Sequence, residues 1–326
     1  MGKYVLKRAL LLIPTLFIVL TIVFCLLRMV PGSPAREMLL EENPEHQPTV
    51  EEVEAKEEEM GLNDPIIIQW VRYIKDIFTG NWGNSYKYNI PVFQKMVDVW
   101  EPTLLIACFA TIITVCIAIP AGIFSATHRN SLLDYTISTL STITMVVPGF
   151  CVSMMMQFVF CVWWSKQYGY SFFPATGYFE ISRYGFLVSL IYVAMPSISL
   201  GLHHVASMAR YTRSTMLDVL SQDYIRTARA KGLSRSKIYY KHALKNTLSL
   251  VGTNIATSFA GVLGGSAITE RVFSIKSLGT LAVTSLSARD YNQEQAIVLF
   301  GALMCLGVNL ILDLFYKYLD PRIQFE

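Results

Sequence analysis

Six long apolar runs, separated by polar segments, dominate the pattern of the chain. About 20 mostly apolar residues are needed to cross the hydrocarbon core of a bilayer, so each run is long enough for one transmembrane helix. Proline and glycine interrupt several runs, which spans tolerate when neighbouring helices satisfy the freed backbone groups. The pattern predicts an all-α, polytopic membrane protein with six transmembrane helices. The runs cover residues 9–27, 104–126, 135–164, 185–209, 248–268 and 296–316.

Composition favours the same class. The 326 residues are 53% hydrophobic and only 16% charged, whereas soluble proteins average about 25% charged residues. The six cysteines lie in or beside apolar runs and form no CxxC pair. We therefore expect small buried hydrophobes rather than a disulfide framework or a metal site. The first run is longer than the apolar region of a signal peptide and no small-residue cleavage site follows it, which predicts a retained span.

The distribution of charge predicts the orientation. Residues 31–98 hold six basic and thirteen acidic residues, a net charge of −7, whereas residues 210–247 hold nine basic and two acidic residues, a net charge of +7. The positive-inside rule therefore places residues 210–247 and both termini in the cytoplasm. We divide the chain into a tail with the first span (1–30), an extracytoplasmic region (31–98) and a core of five spans (99–326) that contains the cytoplasmic loop 210–247.

The acidic extracytoplasmic region carries two helix signatures. Thr49, with Glu52 three positions later, predicts a capping box at the start of a helix that ends before Gly61. Its acidic face is expected to be solvated, and binding of a cationic partner is the alternative. The segment after Pro65 has apolar residues at helical spacing, which is typical of an amphipathic helix on a membrane surface.

The basic loop predicts two short helices joined by an elbow. The first begins at Asp223, and Gly232 suits a position after its end that needs a positive φ. Ser234 is placed to cap a second helix that extends to about residue 245. The positive-inside rule alone explains the charge of this loop. It does not explain the small residues Ala228, Ala230 and Gly232, which allow a partner surface to approach closely.

The same loop resembles the coupling segment of permease subunits in binding-protein-dependent ABC importers. The resemblance is to the branch that carries dipeptides, oligopeptides, nickel and glutathione, and it covers nearly the whole chain. It rests on "RALLLIPTLFIVLTIVFCLLRMVPGSPA", "GLNDPIIIQWVRYIKDIFTGNWGNSY", "DYIRTARAKGLSRSKIYYKHALKNTL" and "GGSAITERVFSIKSLGTLAVTSLSARDYNQEQAIVLFGALMCLGVNLILDLFYKYLDPRIQ". It implies the type I ABC importer permease fold in the cytoplasmic membrane of a prokaryote.

The resemblance also implies partners. The elbow would dock into a groove of a cytoplasmic ATPase, a second homologous permease would complete the pore, and an extracytoplasmic binding protein would deliver the substrate. Two partner subunits would bind ATP and Mg, and the chain itself would bind no cofactor, metal or nucleic acid and catalyse no reaction. The absence of a GxxxxGK[ST] phosphate loop from the sequence agrees. The residues assigned to coupling are Asp223, Ala228, Arg229, Ala230, Lys231, Gly232 and Ser234.

Four residues at three sites depart from the pattern of the resembling family. Ser249 stands where a proline commonly follows the coupling loop, Lys276 and Ser277 stand where Pro-Gly is common, and Asn292 replaces a proline after "RDY". These changes affect local bends and the geometry of the external loops.

Polar residues within the spans are candidates for the pore. A wet pathway for a peptide needs polar and small groups, and the same groups also serve helix packing, so both roles stay open. Glu270 and Arg271 are candidates for a gate or for an interfacial pair. His203 and His204 have no carboxylate at ligand spacing, which disfavours a metal or proton relay. The candidates within the spans are Ser138, Ser141, Thr142, Thr144, Gln157 and Ser258.

Peptide import is the predicted function, and import of nickel, a metal chelate or glutathione by the same architecture is the alternative. A secondary transporter would need buried charges at the midplane, but the predicted spans are nearly free of charge. An intramembrane hydrolase is disfavoured because the sequence has no paired intramembrane aspartates, no GxSxG and no HExxH.

The predicted orientation can be tested by cysteine labelling in a thiol-free background. A membrane-impermeant reagent should modify Glu54→Cys in intact cells, because residues 31–98 are placed outside. It should modify Ser234→Cys only after permeabilisation, because residues 210–247 are placed in the cytoplasm. Labelling of both variants in intact cells would contradict the six-span topology.

Overall fold

A computed structural model describes residues 2–43 and 45–319, and these residues are almost entirely helical. Within the described ranges, the only pairing of extended backbone is an isolated bridge between Asn84 and Pro91. The predicted all-α class is confirmed. In chain order the helices are α1 (Gly2–Met29), α2 (Pro34–Glu42), α3 (Val50–Glu59), α4 (Ile66–Thr79), α5 (Val92–Val97), α6 (Trp100–Thr127), α7 (Leu132–Val146), α8 (Gly149–Gln157), α9 (Trp164–Tyr168), α10 (Ile181–Tyr184), α11 (Phe186–Leu220), α12 (Asp223–Ala230), α13 (Arg235–Lys237), α14 (Leu244–Gly265), α15 (Ala267–Val272), α16 (Leu278–Ser287) and α17 (Tyr291–Leu319).

The described helices account for up to six membrane spans. Four are long and apolar enough to cross a bilayer by themselves: Trp100–Thr127, Phe186–Leu220, Arg235–Gly264 and Tyr291–Ile311. Two further candidates are bent pairs, with angles of 70° between Ile13–Met29 and Pro34–Glu42 and 95° between Leu132–Val146 and Gly149–Tyr168. Counting each bent pair as one span gives the predicted number of six. The 95° bend lies at Pro148, within the third apolar run (135–164).

Two helices extend far beyond their apolar runs. The fourth run ends at Ala209, but α11 continues to Leu220. The fifth run begins at Leu248, whereas its helix already starts at Arg235 and passes through a π-helical turn, Ile238–Ala243, into α14. Much of the basic loop 210–247 is therefore a helical extension of two spans.

The chain divides into two compact units, of which the first comprises residues 1–101 and 277–306. In this unit α4 lies against α1. Trp70 donates a hydrogen bond from its indole nitrogen to Thr21 Oγ1 over 3.2 Å and meets the Phe17 ring edge-to-face at 5.4 Å. The Arg28 Nε donates to Gln69 Oε1 over 2.9 Å. These contacts occupy one face of α4 and leave Ile67, on another face, 71% exposed.

Local signals in the external region are confirmed at α3. Thr49 and Glu52 form the predicted capping box, and the Thr49 backbone N–H holds the pKa of the Glu52 carboxyl below its usual value. Gly61 follows the helix with φ +68°. Leu62 N donates to Glu57 O, as expected where a left-handed residue closes a helix.

Two of the residues that depart from the family pattern, Asn292 and Ser277, make specific contacts in the first unit. Asn292 donates to the Asn84 carbonyl over 3.0 Å and accepts from the Tyr86 hydroxyl over 3.3 Å, contacts that a proline side chain cannot make. Ser277 caps α16 and shares a capping box with Thr280. Asp290, just before α17, is completely buried and accepts from the Ser85 hydroxyl and from Lys87 N.

The second unit comprises residues 102–276 and 307–326. Its centre is an apolar cluster that α6, α11 and α14 share, with Ile106, Val193 and Val262 almost completely buried. Close backbone approach between α6 and α11 depends on glycine, because a Cβ at Gly122 would lie 2.6 Å from the Ala209 carbonyl oxygen. A second cluster at the ends of α6 and α11 includes residues of α12.

Candidate coupling surface and transport face

The predicted elbow is present and is built on Gly232. After α12, the Leu233 N–H donates to Ala228 O over 3.3 Å and the Gly232 N–H donates to Arg229 O over 3.0 Å, which is the Schellman pattern. Gly232 has φ +75°, so the prediction of a positive φ is confirmed. A Cβ at this position would meet no atom within 4 Å. Gly232 is therefore required by backbone conformation and not by lack of space.

The elbow has a buried side and an exposed side. Ile225 and Ala228 are buried and pack with Met216, Ile238 and Ala243. The remaining residues assigned to coupling are exposed: Asp223, Arg229, Ala230, Lys231, Gly232 and Ser234. The small residues are thus divided, because Ala228 seats α12 on its own unit whereas Ala230 and Gly232 face outward. Asp223 pairs with Arg226 over 3.4 Å.

The second arm of the elbow differs from the sequence prediction. Ser234 occupies the position before the helix but its side chain makes no capping hydrogen bond. The arm is not a separate short helix, because helical structure continues from Arg235 into α14. Asn246 donates to the Tyr224 hydroxyl over 2.6 Å and so connects this arm to α12. The elbow is therefore joined directly to a span.

A buried ion pair lies in the same unit, at the cytoplasmic side in the predicted orientation. The Arg213 guanidinium on α11 donates from Nε to Asp134 Oδ1 over 2.7 Å and from Nη2 to Oδ2 over 2.8 Å. The same carboxylate accepts from the Ser125 hydroxyl at the end of α6 and from Asn130 N over 3.0 Å. Asp134, on α7, is 3% exposed. One carboxylate thus joins three helices.

Sequence reasoning missed this pair, although it left a local signal. Asp134 stands three positions after Ser131, whose side chain caps α7. A serine followed by an acidic residue at this spacing marks a helix start. Nothing local points to Arg213, because it lies 79 positions away.

The pore candidates occupy different environments. Ser141 is buried and lines an apolar groove of about 710 Å³ between α6, α7, α8 and α11. The Gln157 amide nitrogen donates to the carbonyls of Ala175 and Val272 over 2.7 and 3.0 Å and so fixes local backbone. Glu270 is fully buried and accepts from the Ser266 hydroxyl over 3.1 Å, whereas Arg271 is exposed.

Small and polar residues of the fifth apolar run form one exposed face of α14. Thr253, Thr257, Gly261 and Gly264 are all exposed and recur every three or four residues, so they share one side of the helix. Lipid-facing surfaces of spans are apolar, whereas small and polar residues are typical of faces that meet another helix or water. This face, here called the transport face, is therefore a candidate for the pathway.

The long apolar helices, the exposed elbow and the polar span face define a membrane transport protein. The chain belongs to the family described as binding-protein-dependent transport system inner membrane component, which matches residues 118–325. The corresponding N-terminal family matches residues 1–107. The chain is thus a multi-pass inner membrane protein.

Curated relatives match along their entire length. The chain is 34% identical over 344 residues to the dipeptide transport system permease protein of Alkalihalophilus pseudofirmus, with 100% of both chains covered. It is 33% identical over 327 residues to a probable peptide ABC transporter permease protein of Sinorhizobium fredii and 36% identical over 326 residues to the glutathione transport system permease protein of Escherichia coli, again with 100% of both chains covered.

A solved structure shares the fold. The structure of the MetNI methionine ABC transporter in an inward-facing conformation aligns with a TM-score of 0.56 at 15% sequence identity, covering 70% of this chain and 98% of that chain. The predicted permease fold is confirmed.

The Asp134–Arg213 pair should be essential for stability. Arg213→Ala removes the charged partner of a buried carboxylate to which Ser125 and Asn130 still donate, which costs about 1–3 kcal/mol, so the purified protein should unfold at a lower temperature. Arg213→Lys keeps the charge but loses the bidentate geometry and should lie between the variant and wild type. Arg210→Ala, on the same helix, removes an exposed arginine and is the matched control. Equal midpoint temperatures for Arg213→Ala and Arg210→Ala would refute the role of the pair.

Proposed function

We propose that this chain forms half of the translocation pore of an ATP-driven importer of peptides and couples to a cytoplasmic ATPase through the elbow around Gly232. Family membership supports a subunit that works with a binding protein. The observation that carries the coupling role is the exposed elbow, which a continuous helix joins to the transport face of α14. Movement of a docked partner would reach the pathway without crossing a flexible loop.

The charge of the elbow fits a protein partner on the cytoplasmic side. Arg229, Lys231, Arg235 and Lys237 are exposed around Gly232.

The transport face and the apolar groove at Ser141 remain uncovered in the single chain, which supports a second, homologous permease as the other half of the pore. Two ATP-binding subunits would hold ATP and Mg, and a binding protein would meet the side that carries residues 31–98. Both termini would lie in the cytoplasm.

The names of the relatives support a peptide substrate. Two are named for dipeptides or peptides and a third for glutathione, which is itself a tripeptide. All three relatives match over their full length, which supports a pathway of the same kind in this chain. Import of glutathione, of nickel or of a metal chelate by the same architecture is the competing function.

Uptake by a deletion strain tests the substrate. Cells that lack the chain should fail to grow on short peptides as the sole source of a required amino acid and should recover when the gene is returned. Accumulation of labelled glutathione and of nickel, measured in the same strains, provides the comparison. Unchanged use of peptides together with loss of nickel uptake would reverse the assignment.

Substitution of Gly232 tests the coupling. A β-branched residue with φ +75° is strained by about 1–2 kcal/mol, so Gly232→Val should re-aim the second arm while the protein still reaches the membrane. Substrate-stimulated ATP hydrolysis and uptake by the assembled complex should fall about 5–30-fold, the factor that corresponds to that free energy.

Two controls separate conformation from surface chemistry. Gly232→Asn should retain most activity, because asparagine adopts a positive φ more readily than most other non-glycine residues. Lys237→Ala removes one exposed charge and should have a mild effect. Normal substrate-stimulated hydrolysis in Gly232→Val would show that the elbow is only a connector.

A further inference from the structure

His203 and His204 lie near the middle of a long helix. The apolar run that contains them ends at Ala209, which suggests a place near a membrane surface, but α11 continues to Leu220. The two rings are in contact, with centroids 5.6 Å apart and planes at 76°. Ionisable residues within a span are rare and usually mark a substrate or ion pathway. The pair therefore needs an explanation beyond packing.

The two histidines line a cavity of about 280 Å³ within the second unit. Its wall is formed by α8, α11, α14 and α15, and besides the two histidines it includes Gly149, Gly261 and Thr269. The His203 ring lies against Gly149, because a Cβ there would be 3.3 Å from Cδ2. Gly261 brings the cavity to the exposed transport face of α14. The cavity is thus beside the proposed pathway.

The chemistry of the wall favours an acceptor or an anion. Among the described residues, those that line the cavity include two imidazoles and a threonine hydroxyl but no acidic side chain. His203 Nδ1 is buried and has no hydrogen-bond partner among the described residues. The helix α8 begins at Gly149, directly after Pro148, and no side chain caps it. The first N–H groups of a helix carry partial positive charge and hydrogen-bond readily to an anion.

We propose that this cavity binds the free C-terminal carboxylate of a peptide as the peptide passes through the pore. An imidazole N–H of His203 or His204 would donate to a carboxylate oxygen, and the start of α8 would stabilise the negative charge. A metal ion fits less well, because the lining offers only two of the side chains that commonly ligate transition metals. This inference rests on the proposed function in peptide import.

The test compares two substrates in the complete complex with its binding protein. Uptake into proteoliposomes is measured for a dipeptide with a free carboxylate and for the same dipeptide as its C-terminal amide. Each variant is divided by wild type for each substrate, so that discrimination by the binding protein cancels. In His203→Leu/His204→Leu, uptake of the free acid should fall about tenfold or more, because hydrogen bonds to a charged group are lost, whereas uptake of the amide should change little.

A second variant guards against a folding defect. Gly149→Ala keeps both imidazoles but places a methyl group 3.3 Å from His203, so the free acid should again be affected more than the amide. When His203→Asn replaces His203→Leu in the double variant, part of the preference for the free acid should return. Tyr211→Phe, on the same helix outside the cavity, should behave as wild type. The expected result is a loss specific to the carboxylate.

The outcomes separate the two proposals. An equal loss for both substrates in the double variant, or no loss for either, would show that the histidines only pack and would overturn the inference. If the wild-type complex takes up neither peptide, the proposed function itself fails, and the carboxylate site fails with it.

Discussion

Backbone hydrogen bonding in hydrocarbon is the constraint on which this structure depends. Because lipid offers no donors or acceptors, a chain can cross a bilayer as helices only if each break finds partners inside the protein or lines a water-filled cavity. At the 95° bend after α7, Pro148 cannot donate, and the chain restarts as α8. There the Ser153 hydroxyl lies 2.9 Å from that of Ser199 and 3.2 Å from that of Thr269. These hydroxyls join α8, α11 and α15 where the span is interrupted.

The same requirement shapes the proposed cytoplasmic end. The helix ends around the elbow are closed by backbone bonds at Gly232, and the Asp134 carboxylate meets donors from three directions. A carboxylate that is almost completely buried is tolerated only when it is paired and hydrogen-bonded. The elbow therefore lies beside a framework in which a buried carboxylate is held by donors from three segments.

Sequence patterns predicted the features that depend on neighbouring residues. The second and sixth apolar runs correspond to α6 and α17. Thr49 and Glu52 form the predicted capping box, and Gly232 has the predicted positive φ. The true lengths of α11 and of the helix from Arg235 were not predictable in the same way. Polarity reports where the membrane ends, whereas a helix ends only where its backbone is capped or broken.

Contacts between residues that are distant in the sequence could not be predicted from it. Arg213 and Asp134 are 79 positions apart, and Asn292 bonds to Asn84 across 208 positions. Which candidate in a span faces a pathway is also a question of packing. Gln157 is polar in the sequence, but its amide nitrogen bonds to two backbone carbonyls, whereas the glycines of α14, which helix packing alone would explain, are exposed.

The unbroken helix from Arg235 to Gly264 also has a mechanical meaning. Its 30 residues form a rod about 45 Å long at 1.5 Å per residue. A tilt of about 5° at one end of such a rod displaces the other end by about 4 Å, more than the width of a water molecule. Its far end carries Gly261, which borders the histidine cavity. If the elbow rotates with a docked ATPase, as the proposed function requires, the Gly261 wall of that cavity would move by a similar distance, with α14 acting as a lever arm.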